Sequence, residues 1–286
     1  MIRKSIIVAV VLGLSWSMAI SFLPESMVTG QTTWGENLIA AQNYLFGDVS
    51  KNDMVIVGSS LSENLLVREI SGHKVHNLGL SGQGPLDGLN VVLAADRLPG
   101  YVLVEMNVIM EAPNEQFEQV LLASSTNWVR KYVPALRQRY QPVGVFKGLV
   151  SDRSTADPTS QSGELLEDRP VNQLSLETKI KDYASPVPKT EIQAVLKELQ
   201  ARVQWLEERG TEVVFYEIPI HPQLCAAPKA VAIRTGFKEV FLPAKYTYID
   251  QPDCSSFGTT DGHHLGQKST ARYSVWLERT LNDFLF

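Results

Sequence analysis

The chain has 286 residues, 44% of them hydrophobic, and 26 basic against 31 acidic side chains give a net charge of −5. That is enough apolar material to bury a full core, most simply in one elaborated domain. Setting aside Arg3 and Lys4 leaves −7 for the rest, which excludes nucleic acid as a partner for the body of the protein.

The basic start, Met1 to Lys4, precedes a run of 19 uncharged residues from Ser5 to Leu23, about 28 Å long as a helix and close to the thickness of a bilayer core. Residues 1–24 therefore read as a signal anchor or signal peptide. Ser17-Met18-Ala19 fits a small-x-small cleavage site, whereas the length of the run favours an uncleaved anchor, an N-terminal hydrophobic helix attached to the inner membrane. Either outcome places residues from about 25 onward on the periplasmic, extracytoplasmic side.

Further along, apolar runs at Met54–Val57, Val75–Leu78, Val102–Met106 and Glu212–Ile218 predict strands, and Pro85–Arg97 and Thr190–Arg209 predict helices between them. This alternation predicts an α/β fold with a mainly parallel sheet covered on both faces. Asn114 to Tyr140 reads as helical with basic residues Arg130, Lys131, Arg137 and Arg139, either a solvated face or a surface for an anionic glycan, lipid headgroups or a membrane partner. Ser151 to Pro188, rich in Ser, Asp, Pro and Thr without periodicity, reads as a mobile loop. Tyr246–Ile249 is a last short strand, and a final helix runs from Leu265 to about Phe286 with Tyr273, Trp276, Leu277 and Leu281 at core spacing.

Two segments carry chemistry. Gly58-Ser59-Ser60 follows the first strand and opens a helix, so the Ser60 hydroxyl would stand clear of the sheet edge beside free backbone N–H groups; a serine there also suits a simple helix cap. Asp261-Gly262-His263-His264 lies before the final helix. A serine needs a base to remove its proton, and a histidine base needs a third group to fix its tautomer. In Asp-x-x-His one loop supplies both, with His264 as base and Asp261 as its orienter. The remaining histidines, His73, His76 and His221, lack metal-ligand spacing, so neither metal nor cofactor is expected.

These blocks resemble those of the SGNH hydrolases, the GDSL-type esterase superfamily, in order along most of the chain after residue 50. Gly58-Ser59-Ser60 is similar to the nucleophile block, with serine where that family most often has aspartate. Asn77-Leu78-Gly79-Leu80-Ser81-Gly82 resembles the glycine block, which implies that Gly82 lends its N–H to an oxyanion hole together with that of Ser60. Val102 to Asn107 resembles the asparagine block, without the usual Gly-x-Asn-Asp, and implies that the Asn107 amide completes the hole. Asp261 to His264, followed by Leu265, resembles the final block. The resemblance implies a three-layer α/β/α, flavodoxin-like fold over residues 50–286 with an insertion at about 110–189, and a Ser60–His264–Asp261 triad.

Cys225 and Cys254 are the two cysteines, compatible with an exported protein. A bridge would close a loop of about 30 residues, contribute about 3 to 4 kcal/mol in the chain-entropy model and tie the Asp261 loop down; two unrelated buried thiols are the other possibility. Anchored extracytoplasmic members of the superfamily imply transfer or removal of a short, acetyl-like group on a cell-envelope or exported polysaccharide, as acylated substrate or acceptor glycan, beside a multi-pass membrane acyltransferase. The alternatives are a carboxylesterase or lipase-like enzyme on small or lipid esters, and a non-catalytic glycan-binding or assembly module.

Overall fold

The computed structural model describes residues 2–23, 31–150 and 168–285, the side chains of residues 2, 3, 9, 124 and 125 excepted. The chain divides into two compact units, Met1–Phe46 with Glu115–Glu164 and Gly47–Asn114 with Leu165–Phe286. Labels below run in chain order through both.

The first unit is helical: α1 (Ile2–Ile20), α2 (Thr33–Leu45), α5 (Glu115–Leu122), α6 (Ser124–Tyr132) and α7 (Pro142–Val150), with short 3-10 turns at Pro134–Leu136 and Gln138–Tyr140. Thr32 caps α2, its hydroxyl accepting from the Gly35 N–H at 3.3 Å, and Trp34 of α2 meets Phe117 of α5 edge-on with centroids 5.6 Å apart. The stretch Asn114–Tyr140, expected to be helical, is divided into α5, α6 and two 3-10 turns, with Ala123 between the two helices. Pro134, which has no N–H and clashes with a preceding helical turn, ends α6 and leaves two 3-10 turns in its place. The expected N-terminal anchor falls on α1. Among the described residues, no helix is long and apolar enough to cross a membrane.

The second unit is α/β. Its elements are β1 (Met54–Ser59), α3 (Ser60–Glu63), β2 (Glu69–Ile70), β3 (His73–Leu80), α4 (Pro85–Leu93), β4 (Tyr101–Glu105), α8 (Gln173–Tyr183), α9 (Lys189–Glu207), β5 (Glu212–Tyr216), α10 (Pro222–Cys225), α11 (Pro228–Val240), β6 (Thr247–Tyr248) and α12 (Gln267–Leu285). The sheet order is β2-β3-β1-β4-β5-β6, parallel throughout except for β2 against β3. Numbered among themselves, the five parallel strands run 2-1-3-4-5, so the order reverses between β1 and β4, the position at which open α/β sheets bind ligands.

All six residues of β1 are buried, as befits a strand covered on both faces. Met54 and Ile56 share one cluster with Leu103, Val214, Tyr216 and the α12 residues Tyr273, Leu277 and Leu281. Burying each such side chain is worth about 1.5 to 3 kcal/mol. On the opposite face α4 approaches so closely that a Cβ on Gly88 would lie 3.0 Å from the Val57 Cβ. Helices on both faces are compatible with a three-layer arrangement.

The region expected to be a loop, 151–188, differs. Residues 151–167 lie outside the described residues, but Gln173–Tyr183 is the helix α8. Asn172 caps it by accepting from the Ser175 N–H at 3.1 Å, and Leu176 and Tyr183, two turns apart, are its buried positions. Two apolar anchors in a polar helix are too few to produce a periodic signal.

Candidate active site

Ser59 ends β1 and caps α3, its hydroxyl accepting from the Leu61 N–H at 3.1 Å. Ser60 therefore starts a helix at the carboxyl end of β1, beside the point where the strand order reverses. The turn is tight: a Cβ on Gly58 would collide with Ser62 Oγ and Glu105 Oε2, so only glycine fits. Ser60 Oγ lies 2.8 Å from His264 Nε2, and His264 Nδ1 lies 2.9 Å from Asp261 Oδ2. The carboxylate thus accepts a hydrogen bond from the Nδ1–H, which fixes the tautomer and leaves Nε2 free to accept from the serine.

Burial pushes the Asp261 carboxyl up, but the backbone N–H groups of His264 and His263 and the His264 ring outweigh it and hold it well below the usual carboxylate range. Those N–H groups donate to Asp261 Oδ1 at 2.8 and 3.0 Å. One oxygen so shapes the loop while the other meets the ring.

The loop is fixed from several sides. The His221 N–H donates to the Gly262 carbonyl at 2.8 Å, the Thr260 N–H to the His264 carbonyl at 2.8 Å, and the Asn172 N–H to the Thr260 carbonyl at 2.8 Å. Cys225 and Cys254 form a disulfide with Cα atoms 6.6 Å apart. From α8, Lys179 reaches Asp261 Oδ2 at 3.6 Å and donates to His263 Nδ1 at 3.4 Å. His263 packs edge-on against Tyr183 at 5.2 Å. Burial, then the Lys179 charge, push its pKa down to about 4, so it is a neutral prop for the loop.

The Ser59-Ser60 turn rests on a buried group that carries no motif of its own in the sequence. Glu105, at the end of β4, accepts from the Ser59 N–H at 2.8 Å, the Ser59 hydroxyl at 3.0 Å and the Ser62 hydroxyl at 2.5 Å. Ser62 Oγ is also 2.6 Å from Tyr216 OH. Glu105 is fully buried, and burial raises its pKa despite these donors. A carboxylate beneath the serine turn thus comes from β4, while position 59 holds a hydroxyl that binds it. A lone glutamate at the end of an apolar run was the available signal.

Gly82 and Asn107 follow β3 and β4, the neighbours of β1. Gly82 has φ of 70°, a conformation glycine adopts without cost from a Cβ. The Asn107 amide is pinned at both ends: Nδ2 donates to the Ile218 carbonyl at 2.9 Å and Oδ1 accepts from the Ile218 N–H at 2.8 Å. One Nδ2 proton remains for a ligand. Among the described residues, no group of three or more His, Cys, Asp or Glu is arranged to hold a metal ion; His76 pairs with Asp53 at 3.0 Å.

Comparison of the chain with protein-family models, curated proteins and solved structures finds no match.

Proposed function

We propose that the protein is an extracytoplasmic serine esterase or O-acyltransferase of the SGNH type, acting on short acyl esters of a cell-envelope or exported polysaccharide. The observation that carries this reading is the continuous hydrogen-bonded chain from Ser60 Oγ through His264 to Asp261, on a turn at the strand ends where α/β sheets bind ligands.

In the proposed reaction His264 Nε2 takes the Ser60 proton as Oγ attacks the ester carbonyl. The backbone N–H groups of Ser60 and Gly82 and the remaining Asn107 Nδ2 proton stabilise the oxyanion. The carbonyl re-forms, the alcohol leaves with the proton from His264, and an acyl-serine remains. His264 then deprotonates the acceptor, which is water in an esterase and a sugar hydroxyl in a transferase, and regenerates Ser60. Asp261 supports the imidazolium in both halves. A multi-pass membrane acyltransferase would supply the acyl donor on the transferase branch.

A specific observation favours simple hydrolysis as the second reading: the His264 side chain is 41% exposed, so water reaches the base. Incubating the protein with p-nitrophenyl acetate and a panel of envelope-type oligosaccharides tests both. Esterase or transferase action gives nitrophenol release that Ser60→Ala abolishes, and transfer adds one acetyl group to a sugar by mass. Nitrophenol release equal in wild type and Ser60→Ala would remove the reading.

A further inference from the structure

Residues 124–150 contain five basic side chains, Arg130, Lys131, Arg137, Arg139 and Lys147, and no acidic one, in a chain whose net charge is −5. The same segment exposes an unusual amount of apolar surface. On α6, Trp128 and Tyr132, one turn apart, are 65% and 64% exposed, with ring centroids 5.3 Å apart. On α7, Val143, Phe146, Leu149 and Val150 are at least 61% exposed. Their spacings of three and four residues place them along one side of the helix, and the exposed Lys147 flanks them. Between the two helices, Leu136 is 54% exposed.

The charges are held in place by the fold. Arg137 stacks on Phe46 at 4.8 Å and donates to the Arg130 and Lys131 carbonyls at 3.0 and 3.1 Å. Arg130 donates to the Val120 carbonyl at 2.8 Å. These bonds satisfy backbone carbonyls. α1 belongs to the same unit, and the Trp16 indole N–H donates to the Tyr140 carbonyl at 3.0 Å, so α1 is fastened to the turn that joins α6 to α7.

Aromatic and aliphatic side chains interleaved with Lys and Arg, without acids, are the composition of helices that lie in the headgroup layer of an anionic bilayer. We propose that the α6–α7 segment is a lipid-docking surface, lying in the interface of an anionic membrane with Trp128, Tyr132 and Phe146 entering the headgroup region. None of these residues belongs to the triad, so the inference stands apart from the hydrolase reading.

The test uses the full chain in phosphatidylcholine vesicles with and without phosphatidylglycerol. Cysteine is introduced as Phe146→Cys or, in the second unit, as Val275→Cys at a position 48% exposed, and labelled with an environment-sensitive fluorophore. The disulfide shields the native cysteines, and far-UV circular dichroism verifies folding. The label at 146 is expected to shift to the blue and to be quenched at least twofold by lipid carrying a spin label near the headgroup, while the label at 275 does neither. Lys131→Gln with Lys147→Gln is expected to halve the quenching in phosphatidylglycerol vesicles only. An aqueous spectrum at 146 in both vesicle types would overturn the proposal. So would a blue shift without quenching by the spin-labelled lipid, which would mean that protein, a second copy included, covers this face. Equal quenching with and without the two lysines would overturn its anionic part.

Discussion

Ser60 Oγ and His264 Nε2 lie 2.8 Å apart although 204 residues separate them in the chain. The distance is set by rigid parts at both ends: a strand-to-helix turn pinned by Glu105 on one side, and on the other a loop that Asp261, His221 and the disulfide hold. Each support makes a separate expectation.

Glu105 receives three donors from Ser59 and Ser62 around the Ser60 turn, and a buried donor left unpaired costs about 1 to 3 kcal/mol. Glu105→Ala is expected to destabilise the protein by about 3 kcal/mol and to slow acylation of Ser60. Glu105→Gln, which keeps an acceptor, should recover at least half of both losses. Urea denaturation and the rate of labelling by an organophosphonate read the two effects. Unchanged labelling in Glu105→Ala would show that the turn does not depend on the carboxylate.

His263 gives the pH dependence of stability a definite sign. An unfolded chain takes up a proton at its histidine near 6.5, whereas folded His263 resists until about 4. Between these values the unfolded state binds more protons, so stability is full above pH 6.5 and falls as the pH drops towards 4. The expected loss is on the order of 1 to 3 kcal/mol. His263→Gln should flatten that slope in denaturation curves taken at a series of pH values. An identical slope in the variant would contradict the assignment.

Removing the bridge by Cys225→Ser with Cys254→Ser releases a loop with sequence separation 29. The expected cost is about 3 to 4 kcal/mol in the chain-entropy model, with a lower kcat because the Asp261 loop loses a tether. A double variant as stable as wild type by thermal melting would leave the bridge without an energetic role.

Asn107 combines two duties, holding Ile218 and offering one amide proton. Asn107→Ala is expected to lower kcat for a short-chain ester by about 10²-fold, the usual cost of losing an oxyanion donor, with a stability loss of about 1 to 2 kcal/mol from the broken Ile218 pair. A change confined to stability, with kcat intact in the folded fraction, would remove Asn107 from the oxyanion hole.

Where apolar runs were bounded by turn chemistry, the sheet was legible in the residues. β1, β4 and β5 start within one residue of the runs at Met54, Val102 and Glu212, because strands covered on both faces need uninterrupted apolar sequence. β3 extends from His73 to Leu80, beyond Val75–Leu78, since its polar residues sit near the sheet edge. α8 was illegible because it buries only Leu176 and Tyr183, whereas Pro134 marks the end of α6 by residue type alone. In the site, Ser60 and Asp261–His264 were legible from residue types and spacing. Glu105, Lys179 and the Ile218 contact of Asn107 were not, because burial beneath a turn, a helix without periodicity and a backbone partner 111 residues away leave no local pattern.

The central claim is that Ser60 is an activated nucleophile. The most direct measurement is mass spectrometry of the protein after exposure to a fluorophosphonate, with Ser60→Ala and His264→Ala alongside and folding verified by circular dichroism. The account predicts a single covalent adduct on Ser60, absent from Ser60→Ala and reduced by at least 10²-fold in rate in His264→Ala, the scale of a lost general base. Folded wild-type protein that takes no label at Ser60 would contradict it.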